Sequence, residues 1–233
     1  RGDSFGALRI FERFVRQFPA SNQHDRVQIA IAEAYLRLNR FDDSYAMFDK
    51  LEKTGKTKKG REEAAYRKGD VYFRKRDYAE AIDQYRQAIT KFPQATSRFP
   101  NAYYNIAEAE FVRQKYKESL NAYRAFLQKF PDHVHGGYAM TRMGELLDIL
   151  GAEPHRSAGA FRESYFRYRA TPGAGVARIR SLTKRMPEMN VKELAVAIEE
   201  IDGITALYSN RPDAKKKDGK RAPAAAEAEH KEE

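Results

Sequence analysis

Apolar residues return along this chain at helical spacing, in blocks separated by short polar breaks. In one block Ala65, Tyr66, Gly69, Tyr72 and Phe73 cover a broad face. In the next, Tyr78, Ala81, Ile82, Tyr85, Ala88 and Ile89 fall on one stripe. A recurrence near 3.6 residues predicts two amphipathic helices. Between them Arg74-Lys75-Arg76-Asp77 reads as a short turn. Pro93 cannot continue a helix and disfavours helical geometry at Phe92, so the second helix is expected to stop there.

The helix–turn–helix block repeats. Ala32-Glu33-Ala34-Tyr35-Leu36 leads to Phe41, Ser44 and Phe48. Gly69-Asp70-Val71-Tyr72-Phe73 leads to Tyr78, Ala81 and Tyr85, and Ala107-Glu108-Ala109-Glu110-Phe111 leads to Tyr116, Ser119 and Tyr123. The offsets are 37 and 38 residues, and a fourth start, Gly144-Glu145-Leu146-Leu147, lies 37 further on. Ahead of these, Ala7, Phe11, Phe14 and Phe18-Pro19 match the second half of a unit. In the fourth unit Gly151-Ala152-Glu153-Pro154 lengthens the turn before Ala158, Phe161, Tyr165 and Pro172. Gly69 and Ala81 are small where two helices must cross closely, and the paired rings fill the space between neighbouring units.

These residues resemble the tetratricopeptide repeat (TPR), whose units read W-x2-L-G-x2-Y, then A-x3-F, then P. The chain offers Ala65-x2-Lys68-Gly69-x2-Tyr72, Ala81-x3-Tyr85 and Pro93, and then Tyr103-x2-Ile106-Ala107-x2-Glu110, Ser119-x3-Tyr123 and Pro131. Two features depart from the pattern: the unit exceeds about 34 residues, and Glu110 stands where a ring is expected, with Phe111 beside it. The resemblance implies an all-α, TPR-like α-solenoid, a right-handed superhelix from residue 1 to about 210. The repeat array is expected over 1–171, as a half repeat at 5–19 and repeats at about 25–56, 62–93, 100–131 and 137–171. Helices over 172–210, built on Val176, Ile179, Leu182 and Met186 and then on Val191, Leu194, Ile198, Ile201 and Tyr208, are expected to cap it. The Lys/Ala/Glu/Pro-rich segment 211–233 offers no large apolar residue and is expected to be disordered.

Composition narrows the chemistry. Of 233 residues, 42% are hydrophobic and 33% charged, with Tyr and Phe at 14 each and neither Trp nor Cys. Without Cys there is no disulfide framework, thiol nucleophile or thiolate metal site. Net charge is +10. From Asp213 to Glu233 six basic residues balance six acidic ones, so the whole excess lies on residues 1–212. A basic body can meet nucleic acid, anionic lipid or an acidic protein, or simply be well solvated. The cations are spread over many helices, so nucleic acid is not expected. No apolar run reaches the roughly 18 residues of a spanning helix. A first residue other than Met points to a removed signal peptide or a longer N-terminus. Arg1-Gly2-Asp3 spells an adhesion tripeptide and is taken as chance.

Catalytic and cofactor signatures are missing. Gly55-Lys56-Thr57 ends like a P-loop, but position 50 holds Lys50 where that loop needs Gly. Lys53–Arg61 therefore reads as a solvated basic loop. His133 and His135 lack the further ligands of a metal site. No Ser/His/Asp constellation stands out. The expectation is a non-enzyme with no cofactor and no metal.

One ladder remains. Glu33, Asp70, Glu108 and Glu145 occupy the same place in four units; Leu36, Phe73 and Phe111 follow three residues later, and Tyr66 and Tyr104 stand four before. At helical spacing these share a face of the first helix. The resemblance implies that this face lines a concave groove that meets ligand. The expected groove residues are Glu33, Leu36, Tyr66, Asp70, Phe73, Tyr104, Glu108, Phe111 and Glu145. Such a groove would take a partner segment with basic and apolar residues. The competing reading is that the acids pair with arginines of the next unit. The expected function is a protein–protein scaffold or adaptor. Its Lys-Phe-Pro endings, Gly-Glu or Gly-Asp starts and 37-residue period resemble TPR proteins of the bacterial cell envelope, the outer-membrane-assembly lipoproteins and the Tol–Pal coordinator family. That style implies a periplasmic or envelope location. The alternatives are a cytoplasmic adaptor in signalling, motility or secretion, and a nucleic-acid-associated subunit.

Overall fold

The computed structural model describes residues 4–169 and 171–209. The Arg1-Gly2-Asp3 tripeptide and the expected disordered segment 211–233 lie outside the described residues. Eleven α-helices and two short 3-10 helices, with no strand, make up the described residues. They are α1 (Ser4–Gln17), α2 (His24–Arg37), α3 (Phe41–Thr54), α4 (Lys58–Lys75), α5 (Tyr78–Lys91), α6 (Pro100–Val112), α7 (Tyr116–Lys129), α8 (Gly136–Ile149), α9 (Pro154–Arg167), α10 (Pro172–Arg185) and α11 (Val191–Ser209). The chain divides into two compact units, Arg1–Ser181 and Leu182–Glu233. In the larger, each helix packs on the next along the chain from α1 to α9, as an α-solenoid does. In the smaller, α11 buries Ala197 and leaves Val191, Val196, Ile198 and Leu207 exposed.

The hairpins close on small residues. Ala32 and Ala107 have no exposed surface. A Cβ on Gly69 would run into the Tyr85 ring, and one on Gly144 into Phe161. The second helix answers with another small residue. The hydroxyls of Ser44 and Ser119 donate to the carbonyls of Ala32 and Ala107, both at 2.8 Å. One turn on, Phe48, Tyr85, Tyr123 and Phe161 are buried. Fully burying a large side chain contributes roughly 1.5–3 kcal/mol, so the repeated ring anchors each hairpin.

The fourth hairpin differs from expectation by one residue. Its buried stripe runs through Ser157, Ala160, Phe161, Ser164 and Tyr168, while Ala158 and Tyr165 are only partly buried. In the first three units the second small residue follows the first by twelve positions, but Gly144 and Ser157 are thirteen apart. The turn at Gly151 holds the extra residue. Every unit passes from first to second helix through a left-handed residue at the same place: Asn39, Arg76, Gln114 and Gly151, with φ of 59, 67, 60 and 69°.

The connections between hairpins set the longer period. Between α5 and α6 the 3-10 helix Pro93–Arg98 is inserted. Phe99 at its end stacks on Tyr66, with ring centroids 4.5 Å apart. The Tyr66 hydroxyl bonds the Phe92 carbonyl at 3.2 Å and lies 3.1 Å from the Thr96 hydroxyl. The buried Glu62 carboxylate pairs with Arg98 and accepts from Gln94 at 3.4 Å.

Candidate partner-binding face

The first helices of neighbouring hairpins lie side by side, and the ladder runs across them. Glu33 is 36% exposed at its side chain, Asp70 26%, Glu108 19% and Glu145 16%. None of the four is a free anion. Arg67, three residues before Asp70, reaches it at 3.0 Å, reaches Glu63 at 3.6 Å and crosses to Glu33 at 3.4 Å. Arg142, three residues before Glu145, reaches it at 2.6 Å and crosses to Glu108 at 3.7 Å. Arg180 meets Glu145 at 2.9 Å.

Tyrosines of the second helices complete the network. Tyr85 donates to Asp70 at 2.6 Å, and Asn105, in the place of Arg67 and Arg142, donates to the Tyr85 oxygen at 2.8 Å. Tyr123 donates to Glu108, which also accepts from Tyr104 at 3.0 Å. Burial pushes the Asp70 carboxyl above the usual carboxylate range, against the opposing pull of Tyr85 and Arg67. Burial, and then the adjoining carboxylates, also raise the Tyr85, Tyr104 and Tyr123 phenols, so these rings stay protonated donors.

Two of the expected groove residues leave the contact set. Tyr66 is 2% exposed and Leu36 8%, because one is stacked under Phe99 and the other packs in the first hairpin's core. Phe73 and Phe111 are half-buried and set edge-on against Tyr78 and Tyr116. The Arg142 guanidinium lies 4.3 Å from the centre of the Phe111 ring. Glu110 is 4% exposed and fills the expected ring position with charge, paired to Arg86 of the preceding hairpin at 3.2 Å and to Arg113 at 3.4 Å. Tyr72, its counterpart, instead packs on Tyr45.

A feature absent from the sequence reading lies beside the ladder. A pocket of about 280 Å³ opens between α4 and the start of α6. Lys59, Glu63, Arg67, Asp70, Arg98 and Phe99 are among its walls. The 3-10 helix Pro93–Arg98 leads into it and sets Phe99 against Tyr66 at its wall. Only the extra residue between Gly69 and Ala107 signals it in the sequence.

The basic loop is tied down. The Asp25 carboxylate accepts from the Lys56 and Thr57 amides at 3.1 and 2.7 Å and from the Thr57 hydroxyl at 2.8 Å. Thr57 then caps α4 by accepting from the Gly60 amide at 3.0 Å. The amides that resemble the end of a phosphate loop thus hold an internal carboxylate. His133 and His135 pack on Phe126 and Tyr104. Among the described residues no group of three or more His, Asp or Glu side chains is placed to hold a metal ion. No described helix is long and apolar enough to cross a membrane.

A family model described as tetratricopeptide repeat matches residues 29–96 and 66–134. No curated protein matches the sequence. Among solved structures, BtubC (BKLC) from P. vanneervenii is similar with a TM-score of 0.67 at 9% identity, over 95% of this chain and 94% of that one. A putative kinesin light chain from Podosopora anserina with nearly identical TPR-like repeats gives 0.58 at 10%, over 82% and 100%. MamA gives 0.55 at 18%, over 70% and 87%. At such identities the likeness is one of fold alone.

Proposed function

The chain is a tetratricopeptide-repeat protein, and we propose that it works as a non-catalytic scaffold that holds a segment of another protein against its first helices. Repeats of this family support a role in protein–protein interaction. One observation supports this face. A single guanidinium, Arg67, attends three carboxylates, Glu33, Glu63 and Asp70, next to the pocket walled by Phe99. Arg37, the other cation on Glu33, stands 3.9 Å away. By contrast Arg142 and Arg180 together match Glu108 and Glu145. Arg67 is therefore shared three ways at the second hairpin, where a basic residue of the partner would take over one of the carboxylates. An apolar residue of the same segment would enter the pocket. Of the expected contacts, Glu33, Asp70, Phe73, Tyr104, Glu108, Phe111 and Glu145 remain on or near this face.

The setting we propose is a bacterial envelope assembly, on the strength of the repeat style. Affinity capture from bacterial envelope and cytoplasmic fractions tests both location and partner. Glu33→Gln with Glu63→Gln keeps shape and removes two partly exposed charges. The captured partner should bind this variant about tenfold more weakly, with an unchanged helical spectrum. Equal affinity would remove the second hairpin from the interface.

A further inference from the structure

One helical turn beyond the acidic ladder, the same face carries a second line. Arg37, Arg74, Val112 and Ile149 stand four residues after Glu33, Asp70, Glu108 and Glu145, at or next to the last residue of α2, α4, α6 and α8. Four residues return a side chain to the same stripe of a helix. The bridges from Arg67 to Glu33 and from Arg142 to Glu108 hold neighbouring first helices together just below this line.

All four side chains are open. Val112 and Ile149 are 51% and 50% exposed, Arg37 is 58% exposed at its side chain, and Arg74 is exposed. The fold does not demand aliphatic groups here, because the first two units place arginine at the same position. The arginines are equally uncommitted. Arg74 has no ion-pair partner among the described residues. Arg37 reaches only Glu33, at 3.9 Å, which Arg67 already approaches more closely. One half of the line therefore offers guanidinium groups, and the other half offers exposed hydrocarbon.

We propose that this line docks an extended protein segment that is acidic in one half and aliphatic in the other. The proposal rests on the reading that the first-helix face receives a partner. Packed helices stand about 10 Å apart, and an extended chain in the polyproline II form advances about 3.1 Å per residue and returns a side chain to the same side every third residue. One ligand residue in three then meets each unit, which gives the pattern acidic-x-x-acidic-x-x-aliphatic-x-x-aliphatic, or its reverse. Carboxylates pair with Arg37 and Arg74 by charge-assisted hydrogen bonds. The aliphatic residues cover Val112 and Ile149 and remove apolar surface from water. The aliphatic half also sets a peptide apart from a nucleic acid, whose phosphates gain nothing from Val112 or Ile149.

The test uses labelled synthetic peptides with this pattern in both orders, and a scrambled peptide of the same composition, in fluorescence anisotropy with the full chain. One patterned peptide should bind at least tenfold more tightly than the scramble. Arg37→Ser with Arg74→Ser, and separately Val112→Ser with Ile149→Ser, should each weaken it at least tenfold while the helical spectrum holds. Binding of neither order above the scramble overturns the proposal. So does binding that ignores either pair of substitutions, or complete displacement of the peptide by single-stranded DNA at physiological salt. None of these outcomes bears on the Glu33 and Glu63 test with a captured partner, so the two claims can fail separately.

Discussion

Arg142 in the fourth unit repeats the placement of Arg67 in the second: each stands three residues before its own ladder acid and spans to the acid of the unit before. The third unit breaks the alternation with Asn105, which reaches Tyr85 instead. Ladder and arginines are one interlocked system.

Arg142→Met should cost about 1–2 kcal/mol in urea denaturation. It removes one cation from two carboxylates that keep Arg180, Tyr104 and Tyr123 as partners, and charged hydrogen bonds contribute about 1.5–3 kcal/mol, discounted because the side chain is 32% exposed. Arg180→Met, at a side chain 56% exposed, should cost less than about 0.5 kcal/mol. Equal losses would mean that Arg142 acts through packing on Phe111 and not through its ion pairs.

Glycine substitutions should divide by what surrounds them. Gly69→Ala must displace the Tyr85 ring, and overpacking of this kind costs about 1–3 kcal/mol. Gly159→Ala meets nothing within 4 Å in the interior of α9 and should gain about 0.5–1 kcal/mol from helix propensity. Thermal melts of the two variants should move in opposite directions.

Two aspartates should respond to acid with opposite sign. Asp25 is held below its ordinary value of 3.8: burial works against its charge, but the Thr57 and Lys56 hydrogen bonds prevail. Its stabilisation is fully present above that value and is lost as pH falls through the lower folded value. Asp25→Asn should therefore destabilise at pH 7, and its deficit should shrink below about pH 4. Asp70 is raised, so its ionised form opposes folding at neutral pH and the penalty is relieved as pH falls through the raised value. Asp70→Asn should leave stability at pH 7 unchanged or higher. A loss like that of Asp25→Asn would contradict this assignment.

The left-handed turn residues give a fourth test. A non-glycine residue there pays roughly 1–2 kcal/mol in steric strain. Gln114→Gly should relieve it, for a net gain of about 0.5–1 kcal/mol after glycine's greater chain entropy. Lower stability would show that the Gln114 side chain contributes contacts of its own.

The small residues and rings at the hairpin crossings were legible in the sequence because they act inside one hairpin, at fixed short spacing. Gly69 with Ala81 and Tyr85 is an example. The Glu33–Arg67 and Glu108–Arg142 bridges were not, although pairing of the acids with arginines of the next unit is one of the two readings the sequence allows. Partners 34 residues apart meet only once the rise per unit is fixed. Buried charge was harder still. Glu62, Lys68 and Glu110 sit at positions 4–9% exposed, and a pattern of apolar spacing reads each as a polar gap. Lys68 is satisfied by Glu52 at 2.8 Å and Asp49 at 3.2 Å from the hairpin before. The pocket beside Phe99 depends on an inserted turn, whose conformation spacing alone does not specify.

The Asp25 contact has a consequence for what this loop could become. Two backbone amides and a hydroxyl already converge on one carboxylate, so the loop is an oxyanion receptor delivered with its guest attached. Asp25→Gly would evict the guest and leave the donors facing a vacancy, with basic residues along the rim. Sulfate or phosphate should then raise the melting temperature of the variant by mass action and leave the parent chain unmoved. A tether that now fastens one hairpin to the next would have turned into a dependence on dissolved anions.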